Sequence, residues 1–229
     1  MNRSLLHSLL EARSERTAVA LITDLANGRQ RLVAKSEAAA DPLARHLERR
    51  FRFDESGVER ADAGEFFILI QNPPLKLVVI GAVHIAQALI PLARAVPYDI
   101  TVIDPRRSFA SPERFPDVTV HADWPDDVLP SLALDQRTAI VLLTHDPKID
   151  DPALVAALKS ECFYVGALGS RKTHGSRLER LEALGLREIG EQRIHAPIGL
   201  DIGARGASEI AIAILAEMTQ VLRLGAGIR

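Results

Sequence analysis

A chain of 229 residues, 47% hydrophobic and 25% charged, has the composition of an ordinary globular protein and can bury a large core in one α/β domain with a small appendage. A formal net charge of −2 gives no general attraction to nucleic acid or an anionic membrane, and no apolar run approaches the roughly 20 residues that span a bilayer. The single cysteine, Cys162, excludes an intrachain disulfide, and Glu11, Arg13, Glu15 and Arg16 stand where a signal peptide would continue its apolar core, so a cytoplasmic protein is expected.

The first 74 residues read as a small α+β module. Residues 18–22 and 31–33 are short strands around Asn27-Gly28, a hairpin turn. Asp41-Pro42 is placed to start a charged helix that runs through Arg50, and residues 65–71 form another strand that Asn72-Pro73-Pro74 ends. The expected division is therefore 1–74 and 75–229.

From Lys76 the pattern becomes an alternation of strands and helices. Leu77-Val78-Val79-Ile80 is a continuous apolar run, as in a strand covered on both faces. A helix over 85–95 and a strand over 100–103 follow, then a short helix over 126–132, with Trp124 beside it as a packing anchor. A strand over 139–143 precedes a helix that Asp151-Pro152 starts. A strand over 163–165, a charged helix over 173–184, a short strand over 193–195 and a long helix over 208–224 complete the chain, the last with Ile210, Ile214, Leu215 and Met218 on one face. Such alternation predicts a parallel, doubly wound sheet with right-handed crossovers and helices on both faces.

That topology gives the polar segments one address, because ligands of open parallel sheets bind beyond the carboxyl ends of the strands. Gly81-Ala82-Val83-His84, Asp104-Pro105-Arg106, Thr144-His145-Asp146, Gly166 to Arg171 and Gly199 to Arg205 each follow a predicted strand. Gly81 resembles the first glycine of a dinucleotide turn, but Val83 puts a branched side chain where backbone would approach a pyrophosphate, so a tight strand–helix turn with no dinucleotide is the favoured reading. Asp104, 23 residues after Gly81, is placed either to hold a ribose hydroxyl or to serve as a turn aspartate before Pro105. Thr144-His145-Asp146 suits a proton carrier or plain helix capping, with Asp150 and Asp151 as further caps. Arg171, Lys172 and His174 behind Ser170 oppose the helix dipole, which an anion bound by all three would explain; a solvated basic surface is the alternative. Cys162, ahead of a buried strand, reads as a small core residue. No compact metal-ligand spacing and no nucleophile–base pair stands out, so no metal ligand and no catalytic residue is assigned.

Gly81-Ala82-Val83-His84-Ile85-Ala86, Thr144-His145-Asp146-Pro147, residues 164–174 (Tyr-Val-Gly-Ala-Leu-Gly-Ser-Arg-Lys-Thr-His) and residues 195–205 (His-Ala-Pro-Ile-Gly-Leu-Asp-Ile-Gly-Ala-Arg) together resemble the Rossmann-type domain of the XdhC/CoxI family, over about two thirds of the chain. The resemblance implies an accessory factor for molybdenum hydroxylases such as xanthine dehydrogenase. Such a factor binds the molybdenum cofactor (molybdopterin) as cargo, supports its sulfuration with a cysteine desulfurase, passes it to the hydroxylase apoenzyme, and forms a homodimer. Carried onto this sequence, the binding set is Gly81, Ala82, His84, Asp104, Arg106, Thr144, His145, Asp146, Gly166, Gly169, Ser170, Arg171, Gly199, Asp201, Gly203 and Arg205. Amides of Gly166 to Ser170 and Gly199 to Gly203 would cradle the cofactor's phosphate beside Arg171 and Arg205. Asp104 and Asp201 would accept hydrogen bonds from pterin or sugar, and His84 and His145 would line the mouth.

Two departures stand out. The family's first turn reads Gly-Ala-Gly-His, and its N-terminal region carries a cysteine in a glycine-rich segment, whereas this chain has Val83 and no cysteine among residues 1–75. A shortened N-terminal region that lacks the thiol is expected. The other readings of the same sheet edge are an NAD(P)-dependent oxidoreductase and a nucleotide-sensing regulator.

Overall fold

The computed structural model describes residues 3–225, so the outermost residues of the two expected domains, 1–2 and 226–229, lie outside the described residues. The chain forms two compact units, the first ending at Pro73 and the second beginning at Pro74.

In the first unit, helix α1 (Arg3–Ser14) precedes strands β1 (Val19–Asp24) and β2 (Gln30–Ala34), and helix α2 (Ala44–Phe53) precedes β3 (Gly57–Ala61) and β4 (Gly64–Gln71). The four strands are antiparallel in the order β2-β1-β4-β3. Ala20, Ile22, Val33 and Ile68 from one sheet face pack with Leu43, Leu47 and Phe51 in a small core. Helix α2 starts later than Asp41-Pro42 suggests, because the Asp41 carboxylate accepts the Leu43 amide at 2.9 Å in a turn ahead of the helix. Arg50, buried on α2, donates to Glu59 Oε1 at 2.9 Å and to the carbonyl oxygens of Glu55 and Val58.

The second unit alternates strands and helices as the sequence predicts, with β7 and α7 added: β5 (Leu75–Ile80), α3 (His84–Ala95), β6 (Tyr98–Ile103), β7 (Thr119–His121), α4 (Pro125–Val128), β8 (Thr138–Leu142), α5 (Pro147–Lys159), β9 (Tyr164–Ala167), α6 (Arg171–Glu182), α7 (Arg187–Arg193), β10 (Ile194–His195) and α8 (Ala207–Leu224). All six strands are parallel, in the order β10-β9-β8-β5-β6-β7. Counted within the unit this is the doubly wound dinucleotide-type arrangement, whose reversal of strand order lies between β5 and β8. Side chains alternate across the sheet. Leu77 and Val79 join Leu89 of α3 and Ile214 and Met218 of α8 on one face, while Val78 and Ile80 join Leu154 of α5 and Leu178 and Leu181 of α6 on the other. This two-faced burial explains the unbroken apolar run of β5.

Three details differ from expectation. Helix α5 begins at Pro147 instead of Asp151: the Asp146 side chain accepts the Lys148 amide at 3.0 Å as N-cap, and Pro152 is absorbed inside the helix. Trp124 is 45% exposed and only precedes α4, so it anchors no core. Gly166 lies inside β9, not in the loop after it. Among the described residues no helix is long and apolar enough to cross a membrane.

Candidate functional site

Because every strand of the second unit is parallel, the segments after β5, β6, β8, β9 and β10 emerge at one edge. The β5 and β8 turns are in direct contact at the reversal of strand order. Gly81 has φ +107, and a Cβ there would lie 2.6 Å from the Thr144 side chain, so only glycine fits. Its amide donates to the Ile103 carbonyl at 2.8 Å, and the Ala82 amide donates to Asp104 Oδ2 at 2.8 Å. Both amides are therefore taken within the sheet edge. Val83 turns inward against the core, and His84 is exposed at the start of α3.

Asp104 is fully buried, and four donors surround its carboxylate. Besides Ala82, the Arg106 amide and Nε approach Oδ1 at 3.0 and 2.8 Å, and Nη2 approaches Oδ2 at 2.7 Å. Burial pushes the Asp104 pKa up, but the Arg106 guanidinium and the two amides outweigh it and hold the carboxyl below its usual range. With about four acceptor positions on a carboxylate, Asp104 is saturated. It staples the β5 turn to the end of β6 and offers no free position to a ribose or pterin hydroxyl. Arg106 also stacks over Phe109, with its guanidinium carbon 4.4 Å from the ring centroid.

After β8, Thr144 Oγ1 donates to Asp150 Oδ1, and the Asp146 amide donates back to Thr144 Oγ1 at 3.1 Å. His145 has φ +80, a conformation that non-glycine residues rarely adopt. Its amide donates to Asp150 Oδ2 at 3.2 Å, and its ring is exposed. Asp150 is buried, and desolvation pushes its carboxyl above the usual range despite the Thr144 hydroxyl and nearby Arg177.

In the third loop, Ser170 caps α6 by accepting the Thr173 amide at 3.2 Å. Gly169 precedes it, and Arg171 and Lys172 are exposed in the first helical turn. Arg177, one turn further on, is buried and donates through Nη2 to the Leu168 carbonyl at 3.0 Å, which ties α6 to the β9 loop. Gly166 sits under this loop as a packing residue: a Cβ there would lie 2.6 Å from both Ile198 and Tyr164. The fourth loop is anchored by Glu217 of α8. Its carboxylate accepts the Tyr164 hydroxyl at 2.6 Å and the Gly199 amide at 2.8 Å, and it meets His195 Nδ1 at 3.0 Å.

The structure thus brings together two hydrogen-bonded groups, Ala82 with Asp104 and Arg106, and Thr144, His145 and Asp146 around Asp150, which meet where Gly81 approaches Thr144, with Gly169, Ser170 and Arg171 on the adjoining β9–α6 segment. Asp201, Gly203 and Arg205 lie in an exposed stretch, where the Arg205 amide bonds Glu209 at the start of α8. Two of the glycines assigned to the phosphate cradle have structural duties of their own. Gly166 is buried in a strand, and the Gly199 amide belongs to Glu217. Sequence reasoning gave Asp150 only a capping role and missed Arg177 and Glu217. The available signal was a charged residue at a core-facing helical position, next to Leu178 in one case and Met218 in the other.

Cys162 is buried, and desolvation pushes its thiol up, in keeping with a core residue. Among the described residues no group of three His, Cys, Asp or Glu side chains is arranged to hold a metal ion.

Residues 77–218 match the family model of the XdhC Rossmann domain. The chain is 34% identical over 150 residues to the molybdenum cofactor insertion chaperone PaoD of Escherichia coli, covering 66% of this chain and 41% of that protein. It is 32% identical over 170 residues to the uncharacterized protein YqeB of the same species, covering 73% of this chain and 31% of YqeB. It is 28% identical over 156 residues to a probable xanthine dehydrogenase component of Bacillus subtilis, covering 67% of this chain and 45% of that one. The chain thus spans less than half the length of these relatives. A solved structure described as a xanthine dehydrogenase from Bacillus halodurans shares the fold with a TM-score of 0.68 at 22% identity, covering 96% of this chain and 67% of that one. With the family model spanning more than half of its length, the chain belongs to the XdhC family through its Rossmann domain.

Proposed function

We propose that the protein is a maturation factor for a molybdenum hydroxylase of the xanthine dehydrogenase type, holding the molybdenum cofactor as cargo at the carboxyl edge of its parallel sheet. The observation that carries this reading is the adjoining β5–β6 and β8 turns beside the basic start of α6, in a chain similar to a protein named as a molybdenum cofactor insertion chaperone. The cluster presents no aligned nucleophile and base among the described residues. That suits pre-organised binding and release better than transition-state chemistry. His145 and Arg171 lie exposed at this edge as ligand contacts, and Asp201 and Arg205 form an outer rim. In the cell the factor acts in the cytoplasm as a homodimer, receives sulfur for its cargo from a cysteine desulfurase, and docks on the hydroxylase apoenzyme.

The nicotinamide-dependent alternative has less support. The Gly81 and Ala82 amides are taken, and Asp104 has no acceptor position left for a ribose. The maturation role is tested by incubating cofactor-free hydroxylase with sulfurated cofactor, with and without the protein. A faster gain of hydroxylase activity at substoichiometric cofactor is expected. Equal rates would overturn the role.

A further inference from the structure

Helix α6 turns Leu178 and Leu181 to the core with Arg177 buried beside them, and Thr173, Ser176, Arg177 and Arg180, at spacings i, i+3, i+4 and i+7, share the flanking face. Here that face borders a cavity of about 250 Å3, lined also by Lys172 and, from the β8–α5 side, by Asp150. That volume lies below the roughly 300–1,000 Å3 of whole small-molecule sites, so it admits a headgroup and not a whole cofactor.

Arg177 lines this cavity at 1% exposure, yet its Nε and Nη1 have no hydrogen-bond partner. A buried guanidinium with orphaned donors carries a desolvation penalty that only an acceptor offsets. The nearby carboxylates do not supply it. Asp150 Oδ2 stands 4.0 Å from Arg177 Nη2, and Asp150 already receives Thr144 Oγ1 and the His145 amide. Asp151 is bound by Arg180 through two bonds of 2.6 and 2.9 Å. Lys172, Arg177 and Arg180 therefore line the cavity against one carboxylate, Asp150, and Lys172 stands in the first turn of the 12-residue helix, where the dipole favours an anion.

We propose that the pocket between α5 and α6 binds a phosphate group, with Arg177 as the buried donor, Lys172 as the exposed counter-charge and Ser176 as a hydroxyl donor. As a phosphate site it stands on this geometry alone; as the seat of the cargo's phosphate it rests on the function proposed above. It moves the anion from the Arg171–Arg205 side, where the glycine loops suggest it, to the inner face of α6.

The test is calorimetric titration of the full chain with inorganic phosphate, and separately with molybdopterin. Saturable phosphate binding is expected in the wild type, weakened about tenfold in Lys172→Ala and lost in Arg177→Gln. It should be unchanged in Lys159→Ala, which removes an equal charge at the far end of α5. Ser176→Ala, at an exposed position, gives a further weakening that does not depend on the buried arginine variant folding. No saturable phosphate binding, or equal weakening in Lys172→Ala and Lys159→Ala, would overturn the site and mean that water alone fills the pocket. Molybdopterin affinity unchanged in Lys172→Ala would overturn the assignment to the cargo. Phosphate binding without any molybdopterin binding would leave the site standing and defeat the function.

Discussion

Glu217 fixes the last loop more than any residue within that loop does. Its carboxylate gathers Tyr164 from β9, His195 from β10 and the Gly199 amide, so one side chain on α8 sets the path of the chain after the sheet's final strand. Burial pushes its pKa up, but the His195 and Tyr164 hydrogen bonds and the Gly199 amide outweigh that and leave it below the ordinary range. A carboxylate so held contributes stability that is present above its unfolded pKa and lost as the pH falls through its folded pKa. Glu217→Gln should therefore lower stability at neutral pH by about 2 kcal/mol and flatten its decline in acid, read from urea unfolding across the acidic range. Equal acid slopes for the two proteins would contradict the assignment. Little in the sequence marks this residue. A glutamate beside Met218 in a long helix reads as a boundary position, and its three partners come from distant segments.

Elements with a strong period were legible, and those without one were not. The apolar runs of β5 and β8 and the face of α8 follow from burial alone, and their bounds in the structure lie within a few residues of those expected. Strand β7 has three residues with partial burial, and α7 is seven residues long with few apolar positions, so neither carries a periodic signal. The β8–α5 junction shows a different failure. Asp146-Pro147 and Asp151-Pro152 are equivalent start signals by local chemistry, and the choice between them is made at tertiary level, where Asp150 takes Thr144 and Arg180 takes Asp151. If Asp146 is the working cap, Asp146→Ala should cost about 1 kcal/mol in chemical denaturation, whereas Asp151→Ala should cost less, as the loss of a partly exposed ion pair. The reverse order would place the helix start where the sequence first suggests it.

For the whole molecule, the parallel sheet with its strand order reversing at β5 and β8 explains why residues scattered from Gly81 to Arg171 share one edge. The fold and the family were legible because long loop motifs and strand–helix alternation agree. The donor arrangement within the site was not, since glycine-rich loops show where backbone can approach a ligand and not which amides the protein itself uses. Gly81, Ala82 and Gly199 have their amides bonded internally, while the orphaned donors belong to Arg177. The proposed cargo role requires this edge to hold molybdenum cofactor and not a nicotinamide dinucleotide. Equilibrium titration of the purified chain with molybdopterin, and in parallel with NAD and NADP, tests it most directly. Saturable binding of one molybdopterin per chain is expected, with no saturation by either dinucleotide; a chain that binds NAD or NADP and leaves molybdopterin in solution would refute the cargo role.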